Sequence, residues 1–487
     1  MICIPITAST TEEAIRDMER AEEIADIIEL RIDYIKAPDI GRLIKEKGKP
    51  VIVTARSQKE GGRFKGSEEE RVGLLKEAIR LGAEYIDIEF TTDERLREKV
   101  IEEGKGTKVI VSYHNFTETP SDLKEIYNDI ARSGCNLIKI VTFANSINDN
   151  LIIFDLIKWH EKRHDIVSFC MGKHGEISRI LSPIIGSYLT FGSLEEGKES
   201  AQGQIPARIL KDVYRIDKLV PDVNIYGLVG NPVSESMGYL IHNRAFGELG
   251  LNNIYLPFLV DDLNSFISGF NGLYKGLSVT MPFKEDIIPL LDEVDKEAED
   301  IGAVNTVVVE DNKLIGYNTD CHGAMMALED RKDRTWLDGK NGVMIGAGGV
   351  ARAIGFGVKR RGVSLTITDI DMDKAVSLSR DIGCEYCNLD ELGNIKIDIL
   401  INTTPVGMYP NVDKSPVPDS FLKEGMIVFD AVYNPLKTRL LKEAEAKGCI
   451  IIPGVEMFIN QGVAQFEMWT KRNAPINIMR EVVLDKL

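Results

Sequence analysis

The stretch Gly342-Val-Met-Ile-Gly-Ala-Gly-Gly-Val-Ala351 contains a short apolar run, a glycine-rich turn and the start of a helix-like segment. The turn fits the pattern G-x-G-x-x-G/A, and a strand before it with a helix after it is the context that this pattern needs. A pyrophosphate would lie at the helix N-terminus. The predicted cofactor contacts are therefore Gly346, Ala347, Gly348, Gly349 and Val350.

An acidic residue follows the next strand, Ser364–Thr368, at position 369. An acid at this place binds the adenosine ribose hydroxyls in dinucleotide-binding units. Asp369-Ile370-Asp371 offers two carboxylates and no arginine, so its charge would repel the 2′-phosphate of NADP. The sequence predicts NAD or NADP as cofactor, with a preference for NAD.

Upstream, residues 278–320 carry three polar groups, in Ser278-Val-Thr-Met-Pro-Phe-Lys284, Ala303-Val-Asn-Thr306 and Asn318-Thr-Asp320. Each group lies at the end of a β-type run or the start of a helix, where side chains can converge on one small ligand. Lys284 and Asp320 would form a cation–carboxylate pair suited to proton transfer near a substrate hydroxyl. From spacing alone, a surface lysine and a helix-capping aspartate fit equally well.

The first part of the chain alternates apolar β-type runs with amphipathic helical stretches. The runs are at residues 2–7, 26–33, 50–56, 85–90, 108–114, 136–143, 165–171 and 188–192. Eight strand–helix pairs in about 220 residues predict a (β/α)₈ barrel. The last helix, 206–219, is predicted to end before Val220-Pro-Asp222. The predicted domains are a barrel (1–220), a substrate-binding α/β domain (222–325, completed by 455–487) and a Rossmann dinucleotide-binding domain (326–454).

Several strand ends in the barrel half carry reactive or charged residues, and barrel active sites lie at those ends. Lys139 lies inside the apolar run 136–141. A buried lysine is costly unless it is paired or deprotonated, and a Schiff base needs the neutral amine. His114 lies on the neighbouring strand and could move protons. With Arg31 and Arg56, these residues predict an imine-forming site that binds an acid.

The barrel half resembles type I 3-dehydroquinate dehydratases through motifs at Glu29-x-Arg31, Lys59-Glu-Gly-Gly62, Ser112-x-His-x-Phe116, Met171-x-Lys173 and Gly203-Gln-Ile205. The resemblance implies that Lys139 forms the Schiff base and that His114 is the general acid and base for loss of water. It implies substrate contacts from Glu29, Arg31, Arg56, Glu60, Met171, Arg179, Ser200 and Gln204. Phe169 stands where the family often has a methionine, and we expect it only to reshape the pocket wall.

The second half, from about residue 223 onward, resembles shikimate dehydrogenases through motifs at Gly230–Ser236, 278–320, the glycine turn, Asn402–Met408 and Gly454–Gln461. The resemblance implies that Lys284 and Asp320 are the catalytic pair beside the reacting 3-oxygen. The implied substrate contacts are Ser234, Ser236, Thr280, Asn305, Tyr433 and Gln461. The implied cofactor contacts are the glycine turn with Asp369, Thr403 and Gly454.

Three positions depart from the shikimate dehydrogenase pattern. Gly238 stands where the family usually has a second serine, so we expect carboxylate binding to depend more on Ser236. Ser278 replaces a common asparagine, as it does in plant-type relatives. Asp369-Ile-Asp371 replaces the Asn-Arg-Thr of NADP-type members, which again favours NAD.

The two resemblances together predict consecutive enzymes of the shikimate pathway in one chain. The barrel would convert 3-dehydroquinate to 3-dehydroshikimate, and the second half would reduce that ketone to shikimate with a nicotinamide cofactor. Three alternatives stay open. A Schiff-base aldolase barrel would give carbon–carbon cleavage products, and a quinate dehydrogenase would prefer quinate in a side-by-side assay. In a non-catalytic binding module, Lys284→Ala would leave dehydrogenase activity unchanged at background.

Composition excludes several classes of function. The net charge of −17 and the lack of a basic patch argue against a nucleic-acid or anionic-membrane partner. Short apolar runs and a β-type N-terminus predict no membrane span and no signal peptide. Seven scattered cysteines favour the reducing cytoplasm. No metal is expected, because Cys384-x-x-Cys387 is isolated and His160-Glu-Lys-Arg-His164 has no third ligand. The oligomeric state is open, since no heptad or long apolar helix face is visible.

Overall fold

The computed structural model describes residues 1–160, 164–329 and 334–487. Tertiary contacts group the chain into two compact units, Met1–Asn224 with Phe258–Asn271, and Ile225–Pro257 with Gly272–Leu487. Within the described ranges, every helix is too short or too polar to cross a lipid bilayer. The domain boundaries expected from the sequence stay a prediction.

The first unit contains a parallel eight-stranded sheet in the order β7-β6-β5-β4-β3-β2-β1-β8. The strands are β1 (Ile2–Ile6), β2 (Ile27–Arg31), β3 (Val51–Thr54), β4 (Tyr85–Glu89), β5 (Lys108–His114), β6 (Leu137–Phe143), β7 (Asp165–Met171) and β8 (Thr190–Phe191). The two edges meet where Tyr188 N donates to Ile166 O over 2.7 Å. The predicted barrel is confirmed. Its hydrogen-bonded sheet is nearly closed between the β7 and β8 edges.

Helices follow the strands on the outside of the sheet. They are α1 (Thr11–Ala21), α2 (Ile40–Lys45), α3 (Glu68–Arg80), α4 (Glu94–Glu103), α5 (Leu123–Ala131), α6 (Asp149–Trp159) and α7 (Glu176–Ile185). Helix α3 begins at a capping box of Ser67 and Glu70. The helix predicted at 206–219 is wrong in extent. The helical part covers residues 207–213, of which Ile209–Val213 is a π-helix. Arg215 has a positive φ of 53°, which does not continue a right-handed helix.

Strand alternation places the barrel's functional side chains at one level. Ser112 of β5 pairs in register with Glu89 of β4 and with Lys139 of β6. Side chains two residues apart share a face of the strand, so Asp87 points to the same side as Glu89. Charged side chains from neighbouring strands therefore meet inside the barrel at its C-terminal end.

Two further sheets follow in the chain, and nearly all of their residues belong to the second unit. The first has the order β10-β9-β11-β13-β14-β12. Its strands are β9 (Asn224–Gly230), β10 (Asn253–Leu259), β11 (Tyr274–Val279), β12 (Glu293–Val294), β13 (Thr306–Glu310) and β14 (Lys313–Tyr317). The other sheet is parallel, in the order β17-β16-β15-β18-β19-β20. Its strands are β15 (Asn341–Ile345), β16 (Ser364–Thr368), β17 (Glu385–Tyr386), β18 (Ile399–Asn402), β19 (Ile427–Asp430) and β20 (Ile450–Pro453).

The helices of the second half complete a Rossmann-type arrangement, as predicted. They are α8 (Gly238–Glu248), α9 (Leu263–Gly269), α10 (Lys296–Ile301), α11 (Thr319–Glu329), α12 (Gly349–Arg360), α13 (Met372–Ile382), α14 (Arg439–Ala446), α15 (Gly454–Thr470) and α16 (Ile476–Leu484). Helix α15 begins at Gly454, directly after Pro453. A Cβ on Gly323 of α11 would lie 2.8 Å from Gln461 N, so α11 and α15 approach closely at that glycine.

Candidate active sites

A cavity of roughly 540 Å³, counted with its open mouth, lies at the C-terminal end of the barrel. That size fits a small ring compound. The predicted catalytic and substrate-binding residues of the barrel half all line it: Glu29, Arg31, Arg56, Glu60, His114, Lys139, Met171, Arg179, Ser200 and Gln204. The sequence motifs, spread over most of the barrel, therefore converge on one site.

Lys139 is 6% exposed and its ammonium faces two carboxylates. Its Nζ lies 3.1 Å from Asp87 Oδ2 and 3.8 Å from Glu29 Oε1. The Nζ also lies 4.4 Å from the centre of the Phe191 ring. Both carboxylates and the aromatic ring thus contact the Lys139 side chain and hold it in place.

Asp87 is a central residue that lies outside the sequence motifs of the site. It accepts from Arg56 Nη2 at 2.9 Å and from Ser112 Oγ at 2.6 Å, in addition to its contact with Lys139. Burial alone would raise the pKa of Asp87, but the charges of Arg56 and Lys139 hold that pKa well below its usual range. Asp87 therefore stays a carboxylate and fixes both cations. Its position within an apolar run, like that of Lys139, was the available signal.

His114 and Glu60 form a buried pair at the cavity wall. His114 Nδ1 lies 2.9 Å from Glu60 Oε2, and Thr91 Oγ1 donates to Glu60 Oε1 at 2.5 Å. Burial, together with Arg56 and Lys139, lowers the pKa of His114 well below its ordinary value, so the imidazole is neutral. Burial raises the pKa of Glu60 to about 7, against the opposing charge of Arg56. With Nδ1 engaged, Nε2 is the nitrogen left for proton transfer.

Two further residues of the cavity lining offer hydrogen-bond donors to an acidic substrate. Arg179 Nε and Gln204 Nε2 are buried and have no hydrogen-bond partner within the described ranges. Gln204 Oε1 accepts from Ser200 N at 2.7 Å and from Ser200 Oγ at 3.2 Å, which fixes the amide with its NH₂ group free. The Arg179 guanidinium lies 4.5 Å from the centre of the Phe169 ring. Phe169 therefore does more than shape the wall, since it supports the arginine.

In the second half, Lys284 and Asp320 form a direct pair. Lys284 Nζ donates to Asp320 Oδ2 at 2.5 Å, and both side chains are largely buried. A Cβ built on Gly349 would lie 3.7 Å from Lys284 Cδ, so the lysine lies beside the start of α12. The structure thus places this lysine–aspartate pair next to the predicted cofactor turn.

Asn305 lies at the start of β13 and is 3% exposed. Its Oδ1 accepts from Thr319 N at 2.7 Å and from Thr306 Oγ1 at 2.9 Å. These donors fix the orientation of the Asn305 amide. If the amide were turned over, its NH₂ group would face the backbone N–H of Thr319, and two donors cannot form a hydrogen bond. The carboxamide therefore has its donor side available for a ligand.

The other predicted substrate contacts lie on four different elements. Ser236 Oγ accepts from Gly238 N at 3.2 Å at the start of α8, and the exposed Ser234 precedes it in the same turn. Thr280 follows β11 and lies close to Gly230. A Cβ on residue 230 would lie only 2.3 Å from Thr280 Cγ2, so the close approach requires a glycine. The two remaining residues meet α15. Tyr433 stacks on Phe458 at 4.7 Å, and Gln461 Nε2 donates to Phe458 O at 3.0 Å.

The glycine turn after β15 forms a cradle with two neighbouring strand ends. Gly346 has φ +109°, and a Cβ there would lie 2.5 Å from Thr403 Oγ1, so only glycine fits. Asp369 Oδ2 accepts from Ala347 N at 2.7 Å, and Asp369 Oδ1 accepts from Asp371 N at 2.8 Å. The residues present therefore fit a dinucleotide with its pyrophosphate at the start of α12. Gly454 is the first residue of α15 and lies close to the backbone of Asp430. A Cβ on residue 454 would lie 2.7 Å from the Asp430 carbonyl oxygen.

Family models match both halves of the chain. Type I 3-dehydroquinase matches residues 2–221, the shikimate dehydrogenase substrate-binding domain matches 228–307, and the shikimate 5′-dehydrogenase C-terminal domain matches 454–484. A bifunctional 3-dehydroquinate dehydratase/shikimate dehydrogenase of Arabidopsis thaliana is 37% identical over 508 residues, covering 99% of this chain and 84% of the relative. The chain belongs to this bifunctional family.

Relatives of the second half differ in their cofactor. A shikimate dehydrogenase (NADP(+)) of Methanocaldococcus jannaschii is 41% identical, covering 54% of this chain and 97% of the relative. A solved shikimate 5-dehydrogenase of Listeria monocytogenes, in complex with shikimate and NAD, has a TM-score of 0.51 and 33% identity over 54% of this chain and 98% of that chain. Both resemblances stated from the sequence are confirmed, while the choice between NAD and NADP is not decided by relatives.

Two metal-like motifs remain outside both sites. His160 is buried, its Nδ1 contacts Ile157 O, and its ring packs edge-on against Tyr127. Glu161, Lys162 and Arg163 lie outside the described residues. Cys384 and Cys387 are free thiols. In the part of the chain that the structure describes, no group of three His, Cys, Asp or Glu side chains could hold a metal ion.

The Glu60 carboxyl predicts a pH dependence of stability. Its pKa in the folded protein, about 7, exceeds the ordinary value of 4.5. The folded state therefore binds this proton more tightly than the unfolded state, and the resulting stabilisation is lost as pH rises from about 4.5 to about 7. We expect Glu60→Gln to remove this pH-dependent loss of stability, which amounts to at most about 3 kcal/mol. The measurement is the free energy of unfolding across that pH range.

Glu77→Gln, at an exposed position on α3, is the matched control and should keep the wild-type pH dependence. If stability depended on pH in the same way in wild type and in Glu60→Gln, the raised pKa of Glu60 would be contradicted.

Proposed function

We propose that Lys139 dehydrates 3-dehydroquinate through an imine, and that Lys284 and Asp320 then assist reduction of the resulting 3-dehydroshikimate to shikimate. The first assignment is supported by the Lys139 ammonium inside a cavity that also holds a neutral histidine and unpaired anion donors. The second is supported by the Lys284–Asp320 pair beside the glycine turn. The residue roles below are part of this proposal.

In the barrel, Arg179 and Gln204 bind the substrate carboxylate and orient the ring. The neutral Lys139 amine adds to the ketone carbon, and loss of water gives the imine. His114 Nε2 then removes a proton from the adjacent carbon and returns it to the departing hydroxyl group, while Glu60 holds Nδ1. Hydrolysis of the imine releases 3-dehydroshikimate and restores the amine, so a single lysine serves every turnover.

In the second half, the ketone is reduced beside Lys284. A nicotinamide cofactor bound at the glycine turn would supply the hydride. Lys284 donates a hydrogen bond and then a proton to the oxygen on which negative charge develops, and Asp320 orients the ammonium and balances its charge. Asn305 and Ser236 hold the ring hydroxyl and carboxylate groups, which fixes the face of the ketone that receives the hydride.

The imine can be trapped chemically. We expect borohydride added during turnover of 3-dehydroquinate to reduce the imine, inactivate the dehydratase and leave a stable substrate-derived adduct on Lys139 in peptide mass spectrometry. Lys139→Ala should give no adduct. Lys173→Ala, a nearby lysine outside the cavity lining, is the matched control and should be labelled like the wild type. An adduct on another lysine, or an adduct that still forms in Lys139→Ala, would refute the assignment.

The cofactor preference follows from the two carboxylates of the Asp369-Ile-Asp371 segment. The Asp369 carboxylate is held at the cradle by two backbone N–H groups, so it cannot swing away from a 2′-phosphate. We expect a higher kcat/KM with NAD than with NADP for shikimate oxidation. Asp369→Asn should shift the NAD/NADP ratio toward NADP by about tenfold, because one charge is removed while an acceptor for Ala347 N remains.

Asp373→Asn, on the exposed side of α13, is the control and should leave the ratio unchanged. Equal or better turnover of the wild type with NADP at matched concentrations would contradict the preference for NAD.

A further inference from the structure

Gln465 is a buried polar residue that none of the motifs assigned. It lies on α15, one helical turn after Gln461, and is 1% exposed. Its Oε1 accepts from Ser278 Oγ at 2.9 Å and lies 3.3 Å from His242 Nε2. Its Nε2 donates to Thr306 Oγ1 at 3.0 Å and to Asn305 O at 3.4 Å. The side chain thus uses both acceptor and donor sides.

The surroundings allow one orientation of this amide. Burial lowers the pKa of His242 to about 3, so its ring is neutral. Its Nδ1 has no partner among the described residues, which assigns the ring proton to Nε2, facing Gln465. Turning the Gln465 amide over would set its NH₂ group against this N–H and its oxygen against the Asn305 carbonyl. Ser278, which replaces the common asparagine of shikimate dehydrogenases, has a role here. Its hydroxyl is the second donor that orients Gln465.

The orientation of Gln465 passes to Asn305 through Thr306. When Gln465 Nε2 donates to Thr306 Oγ1, the Thr306 hydroxyl proton points either at Asn305 Oδ1 or at Thr319 Oγ1, each 2.9 Å away. The Thr319 hydroxyl itself lies 3.2 Å from Asn305 Oδ1, so both arrangements lead to the same oxygen. Thr319 N donates to the same oxygen at 2.7 Å. The Asn305 oxygen is therefore held inward, and its NH₂ group is left as the donor toward the substrate-binding face.

We propose that Gln465 is a positioning residue for the dehydrogenase reaction: through Thr306 it holds the Asn305 carboxamide in the orientation that donates to a substrate hydroxyl. The inference rests on the proposed function, in which Asn305 contacts substrate. Gln465 itself is too buried to contact it. Its partners lie on β11, at the start of β13 and on α8, so one side chain fixes the relative positions of the elements around the site.

The experiment measures the KM for shikimate at saturating cofactor in wild type, Gln465→Met, Asn305→Ala and the double variant. Methionine keeps the length of the side chain but removes both polar atoms. We expect Gln465→Met to raise the KM for shikimate about three- to tenfold, as loss of one orienting hydrogen bond would. The KM for cofactor should change less than about twofold. In the Asn305→Ala background, Gln465→Met should have no further effect, because its action passes through Asn305.

Trp469→Phe is the matched structural control. Trp469 lies one turn further along the same face of α15 and donates to Val307 O at 3.0 Å, so its replacement also removes a buried bond between α15 and β13. Its KM for shikimate should equal that of wild type. The dehydratase activity of the same chain, measured in every variant, reports that the barrel is folded.

The outcomes separate the inference from the function on which it rests. If Asn305→Ala raises the KM and Gln465→Met does not, or if Gln465→Met and Trp469→Phe raise it equally, the positioning role is overturned. If Asn305→Ala leaves the KM unchanged, the substrate contact itself is wrong, and the inference falls with it. Equal effects of Gln465→Met in both backgrounds would also overturn it.

A second variant covers the case in which Gln465→Met does not fold. Ser278→Ala removes only one of the two donors that orient Gln465 and leaves a smaller void. It should raise the KM for shikimate about two- to fivefold, and this rise should vanish in the Asn305→Ala background. A wild-type KM, or a rise that persists without the Asn305 side chain, would contradict the proposal.

Discussion

A lysine ammonium can be buried only where carboxylates compensate its charge, and both sites depend on this constraint. In the barrel, Asp87 and Glu29 face Lys139, and Arg56 binds Asp87 in turn. In the second half, Asp320 faces Lys284. Leaving a charge buried without its partner typically costs several kcal/mol, so each carboxylate is needed for the lysine to lie where it does.

The burial of the barrel charges also sets the properties of its acid–base pair. Arg56 and Lys139 add positive potential around His114 and keep it neutral, while the same pocket raises the pKa of Glu60 to about 7. A neutral imidazole next to a carboxyl group that titrates near neutral pH suits a group that must take up and return one proton. The charges that line the cavity thus set the protonation behaviour of His114 and Glu60.

Much of the barrel site was predictable because strand periodicity and strand ends locate side chains without knowledge of the packing. Lys139 and His114 were found in this way, and the structure places them on one cavity. Asp87 was missed, although an acid inside an apolar strand is the same kind of signal. Gln465 was not predictable, since its partners Ser278 and His242 lie 187 and 223 residues away in the chain. Long-range polar partners of this kind follow from packing alone.

The central claim is that one chain holds two successive lysine-dependent sites. A coupled assay tests it most directly: 3-dehydroquinate is supplied with NADH or NADPH, and oxidation of the cofactor is followed in wild type, Lys139→Ala and Lys284→Ala. We expect the wild type to oxidise the cofactor and either substitution to abolish this oxidation, with activity restored when the two variants are mixed. Cofactor oxidation that persists in Lys139→Ala, or 3-dehydroshikimate that accumulates in the wild type without oxidation, would contradict it.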